Sequence, residues 1–288
     1  MDYAAVVALE ILYMIAFLAL ISAGLAIVFG MMRVINLAHG EFVMLGGYAT
    51  IACAKAGVNI WLAMLVVSPL LVGLWGLLVE RLIIRFLYGR MIETMLATWG
   101  LSLLMIGVVT LVFGSSAVSV PAPIPGYSIG GYQMGGYNLF IIGVAVLLFL
   151  ALWMLLRFTR AGLVARGAMQ GPEVVAALGY DPRKVYRNTF AFGAALSGLA
   201  GGVLAPLTGL LPSSGGAYIA KAFIAVITGG AAVISGTLSS SALFGLVNQL
   251  FSFEAGPVVG DLAMLVLAIV LLRLMPQGIT GRFFRNGT

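Results

Sequence analysis

Residues 33–49 read RVINLAHGEFVMLGGYA, placing Arg33, Asn36, His39 and Glu41 between two long apolar runs, 9–30 and 40–57. Each run is long enough to cross ~30 Å of hydrocarbon as a helix, so the polar groups arrive where one membrane helix ends and the next begins. Asn36 suits the N-cap of the second helix, and Glu41 in its first turn complements the helix dipole. Arg33 is placed to neutralise Glu41, and His39 to donate to a carbonyl freed at the break. Gly46 and Gly47, which follow, permit close approach of a neighbouring helix.

The rest of the chain agrees with this membrane reading. Of its 288 residues 62% are hydrophobic and 8% charged, with a mean hydropathy of +1.15, whereas a soluble domain carries roughly 25% charged residues. Barrel strands would be about half the length of these runs and would alternate in polarity, so the expectation is an all-α integral membrane protein forming one domain over 1–288. Candidate spans are 9–30, 40–57, 59–85, 91–113, 137–158, 188–207, 218–234, 236–253 and 258–275. This predicts a polytopic bundle of about nine spans, eight to ten, some short or broken. The single Cys53 lies within an apolar run and excludes an intrachain disulfide. The first run lacks the positive flank of a cleavable signal and is expected to be retained as a helix.

If the spans alternate, Arg33, the Arg81–Arg90 group, the basic residues of 157–187 and those at 273–285 fall on one side. The positive-inside rule makes that side cytoplasmic, with the N-terminus outside and the C-terminus inside. The opposite side bears the external loop 114–136, rich in Pro and Gly, with Tyr127, Tyr132 and Tyr137 suited to the interface. That loop is either a landing surface for an external partner or a capping loop with an aromatic belt. ALISAGLAIVFG (19–30) echoes AALSGLAGGVLA (194–205). The echo would mark an inverted repeat, although small apolar residues recur often enough in membrane helices to produce it by composition.

No GxxxxGK[ST] phosphate loop and no GxSxG nucleophile turn occur, and one His with one Cys cannot build a zinc cluster. An enzyme with its own ATPase site is therefore not expected, and transport is. On that basis the polar cluster has two readings. It caps and ties a helix break, or the break helps shape a translocation path or its gate, since irregular backbone at membrane depth must be buried in protein or line water. The cytoplasmic segment 159–187 contains Arg166 and a short helix: Pro172 suits its first turn, Glu173 its N-terminus, and Gly179 its end. Val174, Ala177 and Leu178 form an apolar stripe that a helix of this length must bury against a partner protein or the membrane surface. Towards the C-terminus Gly229 and Gly230 allow a bend or close packing, and Lys221 near the outer end of a span is expected to snorkel.

Several strings together resemble one family: FGMMRVINLAHGEFVMLGGY, LATWGLSLL, RGAMQGPEVVAALG, FGAALSGLAGGVLAP, KAFIAVITGGAAVISGT and MPQGITGR. They resemble LivH-type permease subunits of branched-chain amino acid ABC importers, and the related permeases for urea and short amides. The resemblance covers nearly the whole chain in order. It implies a multi-pass subunit of the inner membrane forming half of a translocation path. A second homologous permease, in a heterodimer, would complete the path, two cytoplasmic ATPase subunits would bind ATP, and an external binding protein would deliver cargo. No cofactor of its own and no nucleic acid are implied. The segment 159–187 becomes the coupling loop, with Arg166, Pro172, Glu173, Ala176 and Gly179 on the family pattern. Where many members carry an acid before the helix, this chain has Gln170 and Gly171. A passive channel for a small neutral solute such as urea is the competing reading; Gly-rich, nearly uncharged spans would suit it, but it needs no docking helix.

Overall fold

The computed structural model describes residues 2–129, 132–230 and 232–283. Arg285, counted above with the basic side, lies outside them, as do Gly130 and Gly131 of the 114–136 loop and Ala231 of the expected 218–234 span. The described chain is helical except for one short hairpin. In order come α1 (Asp2–Met32), α2 (His39–Lys55), α3 (Ile60–Leu62), α4 (Ser68–Leu82) and α5 (Met91–Phe113), then strands β1 (Tyr127–Ile129) and β2 (Tyr132–Met134). α6 (Gly136–Phe158), α7 (Arg160–Gln170), α8 (Pro172–Ala177) and α9 (Pro182–Leu204) follow, then α10 (Ser214–Gly229), α11 (Val233–Ala255), α12 (Pro257–Leu274) and α13 (Gly278–Phe283). The hairpin, antiparallel with Tyr127 opposite Met134, departs from the all-α expectation within the 114–136 loop. Tyr137 also departs from it: its side chain is buried in α6 rather than set at an interface.

Among the described residues, five helical segments are long and apolar enough to cross a membrane: 4–32, 60–86, 91–113, 136–158 and 257–281. Counting the bent pair α10 and α11 as one span makes six, against the nine expected. The difference is physical. α2 is only 17 residues long, and α9 starts with a strongly basic turn, Arg183-Lys184, followed by Arg187. The 60–86 span is one helix with a π-helical turn at Ala63–Val67 joining α3 to α4. Pro69 follows at the start of α4, and its ring would press on the Leu65 carbonyl of a regular helix; the wider turn gives it room.

Contacts divide the chain into two compact units. The first comprises residues 23–121 and 151–220. Its core is built by α2, α4 and α9, with Phe42, Val72, Val79, Phe190 and Ala194 buried together. Phe42 and Phe190 meet edge to face, with ring centroids 6.1 Å apart. Here the two echoing segments touch, since a side chain on Gly24 would run into the Gly193 carbonyl and Ser197. The second unit comprises residues 1–22, 122–150 and 221–288. In it α11 packs on α12 and α13, Gly245 lies against the backbone of Ile15, and the Asn138 amide donates to Glu10 at 3.1 Å.

Candidate functional site

The break after α1 is real, and its polar groups are more deeply buried than a solvated cap would be. Arg33 leaves the helix at φ +52°, the left-handed region, and is exposed. Asn36, His39 and Glu41 are buried. Asn36 does not cap α2 directly. Its Oδ1 accepts from the Ala38 N–H at 3.0 Å, an Asx turn that ends just before the helix begins at His39. The Leu37 N–H donates to Thr98 Oγ1 on α5 at 3.1 Å.

His39 Nδ1 lies 3.2 Å from Ser197 Oγ on α9, while Ser197 donates its one proton to the Gly193 carbonyl at 3.0 Å. The bond ties the imidazole to the α9 hydroxyl. Glu41 packs against Gly215 at the start of α10 and hydrogen-bonds Ser102; its Oε2 has no partner. The expected pairing of Arg33 with Glu41 is absent. With left-handed backbone at position 33 the guanidinium stays at the surface, and the carboxyl is sealed among α2, α5 and α10.

The glycines named from sequence are packing points. A Cβ on Gly46 would strike the Gly198 backbone of α9, and one on Gly47 would strike the Leu210 side chain. In the second unit a Cβ on Gly229 would come within 2.6 Å of the Gly236 backbone, while Gly230 has φ +86° and sits against Gln277 and Thr280. Thr280 Oγ1 also donates to the Gly229 carbonyl at 2.6 Å. Backbones this close leave no room for side chains.

The 159–187 segment folds as a capped knob. α7, which carries exposed Arg166, was not anticipated; its start is capped by Thr159, whose Oγ1 accepts from the Gly162 N–H at 3.0 Å. α8 runs from Pro172 through Glu173 and Ala176, as expected. It ends in a Schellman motif: the Gly179 N–H bonds the Ala176 carbonyl at 3.0 Å and the Tyr180 N–H the Val175 carbonyl at 3.2 Å, with Gly179 at φ +87°. Two residues later Asp181 Oδ1 caps α9 by accepting from the Arg183 N–H at 2.9 Å. Val175 is buried towards α7, where Gly167 makes space for it. On the opposite face Val174 is 64% and Leu178 72% exposed. α9 is braced near its start by Tyr186, whose ring lies 5.3 Å from that of Tyr88. The Tyr88 hydroxyl donates to buried Glu80 at 2.6 Å, and burial first, then Glu80, holds its pKa well above the usual tyrosine range. A cavity of about 840 Å³ beside α7 and α9 is lined by Arg160, Tyr180, Lys184, Asn188, Thr189 and Phe192, with apolar residues of α1 and α6.

One polar cluster escaped the sequence. Lys221 is paired: its Nζ lies 2.8 Å from Asp261 Oδ1 on α12, and Asn248 Nδ2 of α11 donates to the same oxygen at 2.8 Å. Two opposite charges in separate apolar runs were the available signal. Nothing in the local sequence of either says that they meet.

A family model described as the branched-chain amino acid transport system permease component matches residues 7–275. The chain is 29% identical to the LivH permease protein of the high-affinity branched-chain amino acid transport system of Escherichia coli K12, over 92% of this chain and 91% of that one. It is 28% identical to the BraD permease protein of the corresponding system of Pseudomonas aeruginosa, over 92% and 91%. It is 27% identical to a probable LivH permease of Methanocaldococcus jannaschii, over 92% and 88%. No solved structure matches.

Proposed function

This chain belongs to the family of branched-chain amino acid transport permease components, and from that premise we propose that it is the membrane subunit of an ATP-driven importer, forming half of its translocation path. The cargo is a small polar solute of the branched-chain amino acid class, the class named for the family, with urea and short amides as the alternative cargo. A second homologous permease completes the path in a heterodimer. Two cytoplasmic ATPase subunits supply the nucleotide site that this chain's sequence lacks, and an external binding protein docks over the 114–136 loop. The assembly sits in the inner membrane, with 159–187 on the cytoplasmic side as the coupling loop.

The observation that carries this reading is the exposed apolar face of α8, Val174 with Leu178 and Tyr180, on a knob capped at both joints. An uncovered face on a helix of six residues is not stable on its own account and calls for a protein cleft to receive it. The path of force follows from the packing. A displacement of α8 passes through Val175 to α7 and through the Gly179–Asp181 link to α9, a continuous helix whose far half holds α2 and α4. Ser197 on that half meets His39 at the α1–α2 break, so nucleotide-driven movement of α8 reaches the break. Rocking of packed helices about such a contact is the usual form of alternating access.

The test is reconstitution of the chain with and without its ATPase and second permease, with ATP on the ATPase side. Uptake only in the full assembly with ATP is expected. Flux through the chain alone, indifferent to ATP, would establish a passive channel and overturn the importer reading.

A further inference from the structure

We infer that Lys221, Asp261 and Asn248 form a binding station for the zwitterionic head of an α-amino acid, Lys221 taking the carboxylate and Asp261 the ammonium. The inference rests on the transport reading above and names the substrate class at one place along the path.

The cluster is costly and incompletely used. A lysine or aspartate in a membrane helix costs up to roughly 2.5–3.5 kcal/mol on insertion scales, the most at the bilayer centre, so such groups face protein or water. Asp261 lies on α12, within an apolar segment long enough to span a membrane, yet its side chain is 49% exposed against 23% for Lys221. Its helical neighbours Val258, Leu262 and Leu265 are exposed and apolar. A carboxylate in that position is tolerated beside water or a polar partner, not beside lipid tails. Its known bonds, from Lys221 and Asn248, both go to Oδ1, and the second oxygen keeps acceptor capacity. Lys221 has three N–H donors and spends one on Asp261, leaving two.

Unused capacity of both signs, a few ångströms apart, complements a head group carrying an ammonium and a carboxylate on adjacent atoms. Without cargo the two residues neutralise each other. With cargo each exchanges a share of that bond for an opposite charge on the solute, so no net charge is buried. Asn248 holds Asp261 in position meanwhile, and Val258 and Leu265, one turn to either side of Asp261, offer an apolar surface for an aliphatic side chain. A neutral amide presents no charge to either residue and draws less from the site.

The experiment uses the full transporter with its binding protein in proteoliposomes, leucine as probe. Lys221→Met and Asp261→Asn should each lower ATP-driven leucine uptake about tenfold or more, the loss of one charge-assisted contact, with subunit assembly and basal ATP hydrolysis retained. The double variant Lys221→Met with Asp261→Asn, which leaves no lone charge, should stay equally low. Recovery of uptake in the double variant would make the pair a structural clasp and overturn the proposal. A second measurement stands if the single variants fail to assemble. Leu265→Cys, which keeps both charges, in a Cys53→Ala background, should react with a water-soluble thiosulfonate, and leucine with its binding protein should slow that reaction. No reaction would place residue 265 against lipid or another subunit, and a reaction indifferent to leucine would place it in water away from the cargo; either result overturns the proposal. ATP-independent uptake by the wild-type assembly would instead defeat the importer reading while leaving the labelling result to decide the station.

Discussion

His39 Nδ1 meets Ser197 Oγ at 3.2 Å across two helices separated by more than half the chain. Ser197 Oγ also lies 3.0 Å from the Gly193 carbonyl, and this buried His39–Ser197 bond is the tie between the α1–α2 break and the middle of α9. Ser197→Ala leaves the imidazole Nδ1 without its hydroxyl partner and should lower stability by about 1–3 kcal/mol. Thermal unfolding in detergent reads the loss. Transport should fall with the amount of folded, assembled protein and cargo preference should hold; a changed preference would put His39 on the path itself.

Gly46→Ala should be far more harmful than Gly100→Ala. The added methyl at 46 meets the Gly198 backbone, whereas at 100 it enters open space. Overpacking costs about 1–3 kcal/mol, while alanine in place of an unencumbered helical glycine gains about 0.5–1 kcal/mol. The two melting temperatures, measured side by side, should move in opposite directions from wild type.

Leu178→Asp should abolish copurification with the ATPase subunits while the chain keeps its own melting temperature, because Leu178 is 72% exposed and supports nothing inside the fold. A central apolar anchor is worth about 2 kcal/mol or more, some thirtyfold in affinity. Glu173→Lys should weaken the association, and Gly179→Val should do so through strain at φ +87°. Undiminished copurification in all three would remove α8 as the dock.

Arg33→Gly should stabilise the isolated chain by up to about 1 kcal/mol, since Arg33 holds a left-handed φ of +52° that glycine adopts freely. The exposed guanidinium makes no bond to Glu41 that would be lost. Chemical denaturation of the two forms in the same detergent gives the comparison, and a marked destabilisation would show that Arg33 has a partner in the folded chain.

Legibility followed the range of the interaction. Local signals were sufficient for α8, where Pro172, Glu173 and Gly179 specify start and stop, and for the break at 33–38, where polar groups interrupt two apolar runs. The glycines were legible as close-packing points, but which backbone each one meets was not. Contacts formed by folding were hidden: Glu41 settling against Gly215, His39 against Ser197, and Lys221 reaching Asp261. Span counting depends on the same context. α9 is buried by its neighbours and begins with basic residues, so a count by length and hydropathy leaves it out.

Ser68 donates to the carbonyls of both Gly46, at 2.8 Å, and Gly198, at 2.7 Å. One hydroxyl proton is thus shared between α2 and α9 from a third helix, α4, at the level where the backbones of α2 and α9 nearly touch. Sliding any one of the three past the others would break that shared bond and drive backbone into backbone, with no flexible side chain between them to yield. These helices therefore act as a single mechanical part, a strut that can tilt but cannot shear. The give in any working cycle has to come from the non-helical stretches at its ends, such as 33–38.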